Sequence, residues 1–394
     1  MRKIENMRLV FVLLLLTELL FFFNLSAWAG RPRSEIPWAV QKTLYLSQKA
    51  IEQKDYAQAR KFLLDYVQKY PEKPHAMIYY LLGNTWYLSH DLQNAYDAYK
   101  TGIALDPDCF ALCQNFAQAA YELGKYREAG KFFEQAFSLA DKPDGELLYN
   151  AALSWYQAKA YHKAVQSLER LFTRSADKVQ KDWVELYVYV LLELKKFKKA
   201  ENAILRRLAH NPTTSEFWKL LAYTALQKQD YPQAVSALEV AYKLEPPTSK
   251  EWLELANIYS YLNLPLNAAK ALEKAYGSSP DPKKCDELAK EFALARRLDK
   301  AIHYLDLALQ KEPTSQRYLE KGKIYYRFGK CAEAAREFQK ALSIEPENGL
   351  AHFMLGVCAM ELENFSMAKN AFLEASKDRR YKEQARSFLA ALKD

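Results

Sequence analysis

Histidine and cysteine are the side chains best suited to hold a metal or act as a nucleophile near neutral pH, and this chain has six and five of them in 394 residues. Their spacing assembles no site. His75, His90, His162, His210, His303 and His352 are dispersed, so no H-E-x-x-H pair sets two imidazoles one helical turn apart around a zinc ion. Cys109, Cys113, Cys285, Cys331 and Cys358 are odd in number and include no C-x-x-C, the usual signature of structural zinc. The nucleophile elbow G-x-S-x-G, the phosphate-cradling Walker loop and the dinucleotide motif G-x-G-x-x-G are missing too. The expectation is a protein that is not an enzyme, with no catalytic residue, no cofactor and no metal. What the chain has in excess is tyrosine, 27 residues beside 20 Phe and 7 Trp. A flat apolar face with one hydroxyl suits gripping a partner rather than transforming it.

Composition narrows the elements that carry these residues. Eleven glycines and fifteen prolines are few for such a length and argue against β-rich, collagen-like and linker-rich classes. A net charge of +8 is small for 394 residues and gives no nucleic-acid signature. At about 150 residues per domain the length suggests two or three domains, an estimate that the repeat described below replaces.

The N-terminus reads as a targeting segment. Arg2, Lys3 and Arg8 precede a nearly continuous apolar run from Leu9 to Leu25, and Ala27-Trp28-Ala29 supplies small residues where a signal peptidase reads. Residues 1–29 are thus expected to be a secretory signal, with 30–39 a short lead. An uncleaved inner-membrane anchor facing the periplasm is the alternative, against which Glu18 counts because a carboxylate in lipid costs about 2.5–3.5 kcal/mol. Either way the body is expected on the periplasmic side.

Proline spacing exposes the organisation of that body. Pro212, Pro246, Pro280, Pro313 and Pro346 lie 34, 34, 33 and 33 residues apart, a period that points to a helix–turn–helix repeat. Frames starting at 40, 76, 110, 145, 181, 215, 249, 282, 315 and 349 align the columns. Position 20 is alanine in all ten, from Ala59 to Ala368, and position 8 is small in nine, with Val188 the exception. Position 24 is always large and apolar, as in Tyr99, Phe133, Leu168 and Phe338. Small against small lets two helices approach closely, and the large residue is expected to fill the space toward the next pair. The frame puts Cys331 and Cys358 on neighbouring helices, which leaves a bridge between them open; the other cysteines read as small core residues.

These columns resemble the tetratricopeptide repeat (TPR) family: Trp218-Leu221-Ala222 and Trp252-Leu255-Ala256-Tyr259 match its first half, and Gly124-Lys125-Tyr126 and Gly329-Lys330 its turn. Pro265 and Cys331 depart from the aromatic at 17, Lys321 from the apolar residue at 7 and Ala176 from the proline at 32. The resemblance covers about 40–382 and implies an all-α solenoid, a right-handed superhelix of ten repeats. Repeats 1–4 occupy 40–178 and repeats 5–10 occupy 181–382, with a weak point near Ser175–Lys181 and a capping helix over 383–394.

In that family the first helix of each pair lines the concave face through positions 2, 5, 9, 12 and 13, which also form one stripe by helical geometry. Here the stripe holds Tyr80, Asn84, Tyr87, Gln114, Gln118, Tyr121, Tyr149, Tyr156, Tyr189 and Tyr223, then turns basic with Lys250, Asn257, Tyr261, Lys283, Lys290, Lys323, Tyr326 and Arg327. Asn84 and Asn115 resemble the asparagines of a chaperone-type carboxylate clamp, but Tyr80, Glu146 and Asn150 stand where it is basic, so its ligand is not transferred. The expectation is a scaffold of the bacterial envelope that binds a peptide or protein segment, its basic end favouring an acidic tail. Its architecture resembles periplasmic TPR proteins of TonB-type systems, and exported scaffolds of secretion or outer-membrane assembly fit as well. A polysaccharide-export scaffold with tyrosines stacked on sugar rings is the alternative.

Overall fold

The computed structural model describes residues 36–142, 144–174 and 179–392. The expected signal segment at 1–29 lies outside them, as do 175–178 in the expected weak point. The described residues form 21 α-helices. Ten antiparallel pairs follow one another: α1 (Trp38–Glu52) with α2 (Tyr56–Lys69), α3 (Ala76–Leu88) with α4 (Leu92–Leu105), α5 (Phe110–Glu122) with α6 (Tyr126–Leu139), α7 (Gly145–Gln157) with α8 (Tyr161–Arg174), α9 (Lys181–Glu193) with α10 (Phe197–His210), α11 (Ser215–Gln227) with α12 (Tyr231–Leu244), α13 (Ser249–Tyr261) with α14 (Pro265–Tyr276), α15 (Pro282–Leu294) with α16 (Leu298–Lys311), α17 (Ser315–Arg327) with α18 (Cys331–Ile344), and α19 (Gly349–Glu361) with α20 (Phe365–Ala375). α21 (Lys382–Ala391) closes the series. The class is the all-α helix-pair repeat that the periodicity predicts.

Nine first helices begin on the first residue of their frame, and every second helix begins at position 17; only α1 starts early, two residues before its frame at 40. The turn between them dictates this. In every pair the residue at position 16 donates its N–H to the carbonyl five residues back, for example Lys125 to Ala120 at 2.8 Å and Lys196 to Leu191 at 2.8 Å. That closure needs a left-handed residue at position 15. It is Gly124 and Gly329 in two pairs and Lys54, His90, Lys159, Lys195, Gln229, Asn263, Arg296 or Glu363 in the rest. Asp55, Asp91, Asp230 and Asn364 then cap the second helix through their side chains. A Cβ on Gly124 would meet nothing within 4 Å, so Gly124→Ala costs only the left-handed strain. We expect a loss of about 1 kcal/mol in unfolding free energy, and a small gain for Lys159→Gly, both read from denaturant midpoints.

The chain divides into two compact units, one ending at Arg206 and one starting at Arg207, so the boundary falls inside α10. Within each, the alanine column lies in the core: all ten position-20 alanines are fully buried. Position 24 corrects one expectation. Its side chain does not simply reach toward the next pair; it lies over position 8 of its own pair. A Cβ on Gly83, Gly322 or Gly356 would strike the ring of Tyr99, Phe338 or Phe372 respectively. Cys109, Cys113, Cys285 and Cys358 are buried and Cys331 is half-buried, and all five are free thiols.

Candidate functional site

The stripe on the first helices differs between the units. In the first unit three of its nine named residues are consumed by packing. Tyr80, Asn84 and Tyr149 are buried, and burial raises the pKa of the Tyr80 and Tyr149 hydroxyls, keeping them protonated. Asn84 Oδ1 accepts from Tyr99 Oη at 2.7 Å and from Asn115 Nδ2 at 2.9 Å, so the two clamp-like amides are spent on each other and on the packing tyrosine. Tyr87 on α3 bonds Glu122 on α5, whose Oε1 also accepts from Gln118 Nε2 at 2.6 Å. Gln114, Gln118, Tyr121, Tyr156 and Tyr189 remain partly exposed.

In the second unit the stripe is open. Position 9 of four successive first helices reads Tyr223, Asn257, Lys290 and Lys323, and the first three are exposed, Tyr223 by 43%. Tyr261 is 69% exposed, with its ring 4.4 Å from that of Tyr231. Arg327 and Lys250 extend the basic character; Lys250 pairs loosely with Glu254 at 3.8 Å, and Lys323 with Glu320 at 2.7 Å. An exposed aromatic flank beside lysines offers contact area and positive charge on one face, the combination that an anionic extended segment would engage.

A second column escaped the sequence reading. Position 25 is acidic in five frames, and each carboxylate bonds the next pair. Glu134 accepts from Ser167 Oγ at 2.6 Å. Glu169 accepts from Tyr187 Oη at 2.9 Å and Lys199 Nζ at 2.5 Å. Glu239 accepts from Tyr259 Oη at 2.5 Å, Glu273 from Lys300 Nζ at 2.8 Å and Tyr304 Oη at 2.7 Å, and Asp306 from Lys321 Nζ at 2.6 Å. The column of acids was itself visible in the frames; its partners lie at positions 7, 11, 19 and 23 and form no single column. These latches absorb part of the tyrosine excess as structure.

Burial, then the bond to a carboxylate, pushes Tyr187 and Tyr259 up to about 12. A folded pKa above the unfolded value near 10 means the folded state keeps a proton that the unfolded state loses. The stabilisation is full below about pH 10 and is lost as pH rises toward 12. Titration followed by phenolate absorbance should show a late class of tyrosines that ionises together with unfolding; ionisation of all tyrosines near pH 10 with the fold intact would contradict the latches.

A cavity of about 660 Å³ lies on the second-helix side of the first unit, where Arg170 and Arg174 of α8 sit over the Phe137 ring of α6. None of its lining residues belongs to the stripe. Among the described residues no group of three or more His, Cys, Asp or Glu side chains is placed to hold a metal ion, and no helix is long and apolar enough to cross a membrane.

Two family models, both described as tetratricopeptide repeat, match the chain, one over residues 188–247 and 319–392 and the other over 110–143. No curated protein matches it by sequence. Solved structures similar to it include a tetratricopeptide repeat protein from Parabacteroides merdae ATCC 43184, at 16% identity over 66% of this chain and 100% of that one with a TM-score of 0.39. MamA from Desulfovibrio magneticus RS-1 is similar at 20% identity over 42% of this chain and 92% of that one, with a TM-score of 0.36. Neither carries an argument about ligand or partner.

Proposed function

The chain belongs to the tetratricopeptide-repeat family of protein-interaction scaffolds, and from that premise we propose that it holds an extended, acidic segment of an envelope protein along the first helices of its second unit. One observation carries the reading: the column Tyr223, Asn257, Lys290 and Lys323, exposed at its first three members and half-buried at Lys323, flanked by the exposed Tyr261 and Arg327. Amide and aromatic side chains suit an extended backbone, and the lysines suit carboxylates. The periplasmic setting is supported by the N-terminal run of basic, apolar and small residues. Tyr80, Asn84 and Tyr149, being buried, contribute by holding α3, α5 and α7 in place rather than by touching the ligand.

The test is crosslinking and co-purification from the native envelope with a tagged full-length chain. Tyr223→Ala combined with Tyr261→Ala should weaken capture about tenfold or more while leaving helicity unchanged, since two aromatic anchors are removed from exposed positions. Lys290→Glu with Lys323→Glu should weaken it further and remove most of its salt dependence. Capture unaffected by both pairs would place the ligand on another face; glycan binding with no captured protein would favour the polysaccharide alternative.

A further inference from the structure

The first helix pair presents a face that most later pairs bury. Position 3 is buried at Ile78, Leu112 and Phe217, and position 10 at Thr85, Ala119 and Val190. The second helix of the preceding pair covers them. A Cβ on Gly102 of α4 would strike Leu112 of α5, and Arg60 Nη1 of α2 donates to the Thr85 carbonyl of α3 at 3.1 Å. In α1 the same two positions are Lys42 and Lys49, and both are exposed. Trp38 and Tyr45 fall in line with them, at spacings of four, three and four residues, and are 73% and 67% exposed. We propose that this row of α1 is a membrane-contact face, which lays the start of the first unit on an anionic lipid surface.

The residue types select lipid. Trp and Tyr settle in the headgroup layer, where one end of the ring is apolar and the other wet. Lysine lays its stem along apolar surface while its ammonium group reaches phosphate. Lys42 Nζ stands 5.2 Å from the centroid of the Trp38 ring, so charge and aromatic area share one patch. Neither Lys42 nor Lys49 has a carboxylate partner among the described residues, and the only acid in α1 is its last residue, Glu52. A second copy docked two-fold on the same row would set lysines against lysines, which like-charge repulsion opposes. Position in the chain points the same way. The segment just before α1 carries Arg31 and Arg33 against Glu35, adding one net positive charge, and the apolar run ends at Leu25, at most about 45 Å of extended chain from Trp38.

α1 would rest on the surface rather than enter it. Val40, Leu44 and Ile51 on its other side are buried in the first unit, so only the exposed row is available to lipid. Attachment through two lysines and two rings is shallow and sensitive to salt: each lysine at an anionic surface contributes about fivefold to partitioning, and added salt screens it. The face belongs to the first unit and the proposed groove to the second, so failure of either leaves the other standing.

The full-length chain, with a photoreactive benzophenone amino acid in place of Tyr45, is mixed with vesicles and irradiated, and lipid adducts at that position are measured by mass spectrometry. One set of vesicles is equimolar phosphatidylglycerol and phosphatidylcholine, the other phosphatidylcholine alone. Adducts should form on the anionic vesicles and fall about tenfold or more on the neutral ones. Lys42→Glu with Lys49→Glu should lower the adduct yield on anionic vesicles about twentyfold or more, with helicity unchanged because both side chains are exposed. The same probe at Phe365, an exposed aromatic of the second unit, should give few adducts on either. The proposal is overturned by absence of lipid adducts at position 45, by equal yields on both vesicle types or at Phe365, or by yields indifferent to the lysine reversal. It is equally overturned if the probe joins instead to the chain's own N-terminal residues or to a second copy.

Discussion

Replacing Lys321 by alanine is expected to cost about 3 kcal/mol, seen as a lowered denaturant midpoint for the second unit with an unchanged slope. Lys321 stands at position 7, where most frames carry a large apolar side chain, and its own side chain is only 10% exposed. Burial opposes its charge, but the hydrogen bond to Asp306 and the nearby Glu337 carboxylate outweigh that and raise its pKa. Its Nζ lies 2.6 Å from Asp306 Oδ1 and 3.5 Å from Glu337 Oε1. Glu337 is the vulnerable partner: its side chain is 8% exposed and its Oε2 has no hydrogen-bond partner. Without Lys321 the remaining countercharge is Lys340 at 2.9 Å, a half-exposed lysine on the rim.

Breaking one arm of a buried pair costs more than the pair itself contributes, because the stranded charge keeps its desolvation penalty. Lys321→Met together with Glu337→Gln should therefore recover much of the loss. Equal losses in the single and double variants would mean that packing of the lysine stem, not its charge, matters. The raised pKa also fixes the pH window. The stabilisation is complete below the ordinary lysine range near 10.4 and is lost as pH climbs through the higher folded value. The defect of Lys321→Ala should thus be undiminished at neutral pH.

Lys321 also shows what single columns of sequence can and cannot tell. The frame starts at 76, 110, 145 and onward were legible because each depends on residues within one pair: a left-handed turn at 15, an alanine at 20, a small residue at 8. Those are local packing and backbone demands, and they repeat. The position-25 latches were not legible, because each acid finds its partner at a different position of the next pair. Lys321 read as a departure from the pattern, yet Asp306 one pair earlier and Glu337 in the same pair are what make it tolerable. The same limit applied to the stripe. Helical geometry groups Tyr80, Asn84 and Tyr149 in the first-helix stripe, but whether that face is open depends on the neighbouring pair. Asn115 on the next pair reaches Asn84, and Tyr99 covers it from below. Tyr223, Asn257 and Lys290 stay exposed.

The pairing of positions 8 and 24 leads to a change whose sign distinguishes two explanations. Helix propensity alone makes Gly322→Ala a gain of about 1 kcal/mol, since glycine is a poor residue inside a helix. Packing predicts a loss of about 1–3 kcal/mol, because the new methyl would stand 2.5 Å from Cε1 and 2.7 Å from Cδ1 of the fully buried Phe338 ring. The ring is fully buried and must shift to admit the methyl, so we expect the loss to prevail. The columns themselves suggest the remedy. Where position 8 is glycine, position 24 is Tyr99, Phe338 or Phe372; where it is Ala152, Ala222, Ala256 or Ala289, position 24 is Leu168, Leu238, Leu272 or Leu305. Ala117 with Phe133 is the one frame in which methyl and ring coexist, so the cost at Gly322 lies in where the Phe338 ring sits rather than in its type. Phe338→Leu alone should open a cavity and destabilise by about 1–2 kcal/mol. Combined with Gly322→Ala it supplies the methyl that fills part of that space, and the double variant should be less destabilised than the sum of the singles by about 1 kcal/mol or more. A double-mutant cycle measured by urea unfolding decides the matter: strict additivity would mean that the glycine and the ring are independent, and that their pairing in three frames has no packing cause.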